Sequence, residues 1–70
     1  MKIYQIHKMI ELSDGNGWNS FGIETQSIQY ARGFQDAVQM FNPTWTTRIV
    51  WVRGSRFEVV RMCGNWKPGN

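Results

Sequence analysis

The chain has 70 residues, 41% hydrophobic and 19% charged, with eight Lys+Arg against five Asp+Glu for a net charge of +3. That balance excludes a disordered tail, and a chain this short buries only about 60% of the surface its unfolded form exposes, which leaves room for one thin core. An apolar run of about twenty residues is lacking, which excludes a spanning helix, and one cysteine with one histidine can supply neither an internal disulfide nor the usual four zinc ligands.

The expectation from these bounds is a single domain over residues 1–70, cytoplasmic, away from membranes and without cofactor or metal. The N-terminal stretch carries Lys2 but is interrupted by Gln5, His7 and Lys8 before any apolar segment of signal-peptide length. The modest positive charge permits a polyanionic partner without announcing one.

Over residues 2–12, Tyr4, Ile6, Ile10 and Leu12 fall at even positions and Gln5, His7 and Glu11 at odd ones, the period of a half-buried strand. Lys8 breaks the even set, and Ile3 and Met9 blur the odd one. A bulge, or contact on both faces, accounts for that. Residues 13–20 are polar and glycine-rich and read as a hairpin loop, with Trp18 near its tip. Phe21, Ile23 and Thr25 resume the alternation as a second strand.

Ser27 is a suitable N-cap, and Tyr30, Ala31, Phe34, Ala37, Val38 and Phe41 then recur at three- and four-residue spacing, predicting a helix that turns this stripe to a core. Gln29, Arg32, Gln35, Asp36 and Gln39 fall on the other side. Asn42-Pro43 stops the helix, Asn as a left-handed cap and Pro because it cannot continue the ladder.

Two strands follow, over residues 46–53 and 56–62, joined by Gly54-Ser55 as a two-residue turn with glycine first. Pairing Arg53 with Arg56 sets Val52 against Phe57, Val50 against Val59 and Arg48 against Arg61 on the face expected to meet the helix. The opposite face then carries Trp51 with Glu58, Ile49 with Val60 and Thr47 with Met62. Residues 63–70 form a polar tail or a short extra strand holding Trp66 and Lys67. The predicted fold is thus α+β, an antiparallel sheet of about four strands on one helix, in the order β-β-α-β-β.

Catalysis needs converging groups, and His7, Cys63, Asp14, Asp36 and the three glutamates are spread over separate elements with no motif spacing. A Cys63–His7 dyad is the one nucleophile–base pair to be tested. Gly15 and Gly17 precede a strand, whereas phosphate loops open a helix. An enzyme is therefore not expected.

One helix covers one face, so Ile49, Trp51, Val60 and Met62 are expected to lie uncovered beside Arg53 and Arg56, an interface-like composition that Trp18, Trp66 and Lys67 would extend. A partner protein, internal cover by Trp18, Trp66 or the first strand, and a homodimer are the three ways to bury it. The same residues suit a direct nucleic-acid binder, with rings for stacking and arginines for phosphate, although the interleaved basic-aromatic motif of RNA-recognition strands is missing. Arg48 opposite Arg61 would need an anion or a nearby carboxylate to offset it, and Glu24 and Asp36 are the candidate carboxylates.

The starting strand over 2–12, the segment Glu24-Thr25-Gln26-Ser27 leading into a helix with Ala31, the stop at Asn42-Pro43 and the strand carrying Arg48-Ile49 together resemble compact phage-encoded anti-CRISPR proteins, including type I-F inhibitors. That resemblance implies a class of function without residue-level roles. Such a protein would be a rigid inhibitor that binds a host defence complex, a protein or ribonucleoprotein, in the host cytoplasm and performs no chemistry.

Overall fold

The computed structural model describes residues 2–64, so Trp66, Lys67 and the rest of the predicted tail lie outside the described residues. The elements are β1 (Ile3–Leu12), β2 (Gly15–Thr25), α1 (Ile28–Phe41), β3 (Thr47–Arg53) and β4 (Arg56–Cys63). Together they form an α+β fold whose four strands make one antiparallel sheet in the order β2-β1-β3-β4.

The expected loop over 13–20 is mostly strand. Only Ser13 and Asp14 turn, with Leu12 paired to Gly15, and the polar Asn16, Asn19 and Ser20 stand along a sheet edge. An edge strand needs pairing on one side only, so its polar composition costs little. Further along β2 the register jumps from His7↔Ser20 to Gln5↔Glu24, which sets Phe21, Gly22 and Ile23 against the single residue Ile6. Gly22 takes φ +79 there, and Phe21 and Ile23 reach the core.

Ser27 caps α1, its Oγ accepting from the Tyr30 N–H at 3.1 Å. At the other end Asn42 has φ −136, so it is not a left-handed cap, but its backbone and side-chain N–H groups both donate to the Val38 carbonyl. The helix is also rotated from the expected stripe. Ala31 and Gln35 are buried and Ile28, Phe34 and Val38 half-buried, while Tyr30, Ala37 and Phe41 are exposed. Gln35 enters the core because Thr47 faces it. Its Nε2 donates to Thr47 Oγ1 at 3.1 Å, and Thr47 in turn donates to Gln39 Oε1 at 2.6 Å.

The core lies between α1 and the centre of the sheet: Tyr4, Ile6, Ala31 and Ile49, ringed by Phe21, Ile23, Ile28, Phe34 and Trp51. Tyr4 is in register with Trp51, and Ile6 with Ile49. The helix therefore covers the even residues of β1 and the odd residues of β3, the reverse of the face assignment expected for the hairpin. Lys8 ends this face by lying over the Trp45 ring, 4.3 Å from its centroid, which explains a lysine in the apolar set.

The hairpin pairs as expected from Arg53↔Arg56 to Val50↔Val59, and Gly54 takes φ +58 in the turn. A bulge then inserts Val60, so Ile49 pairs with Arg61, Arg48 with Met62 and Thr47 with Cys63. Arg48 and Arg61 are accordingly not opposed. The bulge turns Arg61 to the helix side, where it meets Asp36 at 3.0 Å, so Asp36 is the carboxylate that answers it. Beyond β4, Gly64 at φ +114 crosses so close to the backbone of Trp45 and Thr46 that a Cβ there would stand 2.5 Å from the Trp45 carbonyl oxygen.

Candidate functional site: the open face of the sheet

Alternation from the observed pairs puts Gln5, His7 and Met9 of β1, Trp18 and Glu24 of β2, Arg48, Val50 and Val52 of β3, and Phe57, Val59 and Met62 of β4 on the face away from the helix. Among the described residues no helix or strand packs over it. Of the residues expected on an uncovered face, Met62 is there, while Ile49 is fully buried beneath the helix and Trp51 packs against the core. Arg53 and Arg56 share the helix side with Trp51 at the hairpin end. Val60 is the bulged residue and is exposed. Trp18, expected near a loop tip, lies in β2 opposite Met9.

A polar chain crosses this face. Arg48 Nε–H donates to His7 Nδ1 at 3.1 Å, and His7 Nε2 lies 2.9 Å from Gln5 Oε1. Gln5 Nε2 donates to a Glu24 carboxylate oxygen at 2.7 Å. Because guanidinium only donates, Nδ1 must accept, which assigns the Nε2–H tautomer and makes every link donor to acceptor. Glu24 thus closes this chain instead of pairing with Arg48 directly.

His7 is 4% exposed, its ring meeting Phe57 edge-on with centroids 5.0 Å apart. Burial, and then the adjacent Arg48 charge, hold the imidazole below its ordinary value of 6.5, so it is neutral at pH 7. The Arg48 guanidinium lies 4.3 Å from the Trp18 ring centroid and 6.0 Å from that of Phe57. Val50, two residues along β3 and in register with Gln5 and Val59, is fully buried.

What remains accessible is an apolar surface with a pinned cation. Phe57 is 49% exposed, Val59 50% and Met62 39%. Met9, Asn16, Trp18, Arg48, Val59 and Met62 line an open depression of about 510 Å³. Arg48 bonds His7 through Nε, which among the described residues leaves its outer guanidinium nitrogens to an acceptor brought by a ligand.

The chemistry of a nucleophile–base pair is not assembled. Through the register His7 shares the open face with Arg48 and Met62, whereas Cys63 is in line with Thr47 and Lys8 on the helix side. Both imidazole nitrogens are already engaged. Among the described residues no three His, Cys, Asp or Glu side chains gather as a metal site. No described helix is long and apolar enough to cross a membrane.

Sequence reasoning missed the roles of His7, Gln5, Arg48 and Phe57. The signal was the run of polar residues at odd positions in β1, which reads as a solvated face until Arg48 is placed beside it. No protein-family model, curated protein or solved structure matches the chain.

Proposed function

We propose that the protein is a non-enzymatic binding protein that docks the open face of its sheet on a partner protein. In keeping with its likeness to small phage-encoded inhibitors, the partner would be a host defence or other nucleic-acid-handling complex. The observation that carries this reading is the composition and order of the face: an aromatic, Met, Val and Arg surface, drawn from all four strands and fixed by the Arg48–His7–Gln5–Glu24 chain. Interface centres are enriched in those residue types, and side chains already held in place lose less entropy on binding.

The helix offers a competing apolar surface, since Met40 and Phe41 are 77% and 80% exposed. They project from the last turn of the helix and do not line the depression formed by Met9, Asn16, Trp18, Arg48, Val59 and Met62. The open face is favoured because it is recessed and contiguous.

Affinity capture from host lysate, with and without nuclease, separates a protein target from nucleic-acid bridging. The account expects capture that survives nuclease and is lost with Trp18→Ala. Capture that disappears on nuclease treatment would instead favour a direct nucleic-acid binder.

A further inference from the structure

The hairpin end carries different chemistry on the other side of the sheet. Lys2 Nζ and the Arg53 guanidinium each lie 4.7 Å from the centroid of the Trp51 ring. Arg56 stands directly opposite Arg53 in the ladder. Like charges so placed repel, and each would be expected to swing away into water. Two of the three are instead held on one indole, and the turn at Gly54 keeps Arg56 beside them.

Within this group the answering carboxylate is Glu58, which pairs with Arg53 at 3.0 Å, both side chains exposed. Lys2 and Arg56 have no ion pair among the described residues. Arg53, Arg56 and Glu58 line an open cleft of about 490 Å³ together with Trp51, Val52 and Gly54, and Lys2 joins them through its place on the Trp51 ring.

We propose that this cleft is a second binding site, for the phosphodiester backbone of a nucleic acid, with Arg53 and Arg56 on phosphate oxygens, Lys2 as a further cation and Trp51 as the positioning residue that holds Lys2 and Arg53. Three cations against one carboxylate leave two charges unanswered. One peptide carboxylate does not match that excess, whereas successive phosphates along a strand do, and the forked guanidinium suits the paired non-bridging oxygens of a phosphate. Contacts of this kind carry no base specificity, so the site reads backbone and not sequence. Its charged and aromatic residues Trp51, Arg53, Arg56 and Glu58 lie on the helix side of the sheet, the cleft meeting the open face only at Val52, and neither assignment depends on the other.

The test is fluorescence anisotropy with a labelled single-stranded twelve-nucleotide deoxythymidine oligomer at low salt. Wild type is expected to bind, with log Kd varying with log salt at a slope near 2, since each contact on a single strand contributes about 0.7. Arg53→Gln with Arg56→Gln is expected to weaken binding at least tenfold and to lower the slope by about 1.4. Glu58→Gln, which releases Arg53, is expected to tighten binding several-fold, an outcome that misfolding cannot imitate. Trp18→Ala is expected to bind the oligomer like wild type.

No binding by wild type at low salt would overturn the proposal, as would unchanged or weaker binding by the Glu58 variant. A polyglutamate competitor of equal charge displacing the oligomer equally well would show an acidic polypeptide site instead. None of these failures touches the open-face reading, which Trp18→Ala capture tests separately.

Discussion

Acidification should destabilise this protein through one residue. In the unfolded chain His7 takes up a proton near its ordinary value of 6.5, whereas in the fold burial and the Arg48 charge hold it lower. Between those two values the unfolded state binds more protons than the folded state, so stability is full above about pH 6.5 and falls as the pH drops towards the folded-state value. The structural reason is that Nδ1 already accepts from Arg48 Nε, so a proton there would break that bond and set two cations side by side. One proton over the pH unit below 6.5 is worth at most about 1.4 kcal/mol, so the loss at pH 5.5 is bounded by that figure. With a urea m-value of about 1 kcal/mol/M for a chain this small, the midpoint should drop by up to about 1.4 M between pH 7.5 and 5.5. His7→Gln should flatten that dependence. A midpoint that rises on acidification, or an equal drop in the His7→Gln protein, would refute the assignment of a buried neutral histidine bonded to Arg48.

Two further stability measurements separate the faces and the polar core. Ile49→Ala should cost about 2–5 kcal/mol in urea unfolding because Ile49 is fully buried under the helix, whereas Val60→Ala, at an exposed bulge, should cost under about 1 kcal/mol. Thr47→Val should cost about 2–3 kcal/mol, since it strands the Gln35 amide N–H and the Gln39 carbonyl in or near the core. Gln35→Leu should stay within about 1 kcal/mol of wild type, because it also removes an amide oxygen that is buried without a partner among the described residues.

The element order and the Gly54-Ser55 turn were legible because they rest on local chemistry: a capping serine, a proline stop and a glycine at positive φ. The faces of β3 were not. Thr47, Ile49 and Trp51 alternate with Arg48, Val50 and Val52, so both parities are largely apolar and a period of two cannot choose between them. The choice is made by distant pairing, Tyr4 with Trp51 and Ile6 with Ile49. Nor does any residue type mark the bulge at Val60, yet it turns Arg61 to Asp36 and parts the two arginines expected to oppose each other.

The same ambiguity shaped the candidate site. Of the residues expected on an uncovered face, Met62 lies on the face away from the helix. The surface expected around Ile49 and Trp51 divides in two: Trp51, Arg53 and Arg56 lie on the helix side at the hairpin end, and Trp18 and Met62 on the open face, where they meet Arg48 and Phe57, residues expected under the helix. Gln35 entered the core against the polar pattern because a hydroxyl on β3 was waiting for it, a contact between elements that helix periodicity cannot reveal.

The central claim is that the open face, not the exposed side of the helix, meets the partner. It is tested most directly by measuring partner capture side by side for Phe57→Ser with Val59→Ser and for Tyr30→Ser with Phe41→Ser, all four positions being about half exposed or more, with the urea midpoint of each variant measured alongside to show that it folds. The account predicts that the first pair loses the partner and the second retains it. Retention by the open-face pair with loss by the helix pair would contradict it.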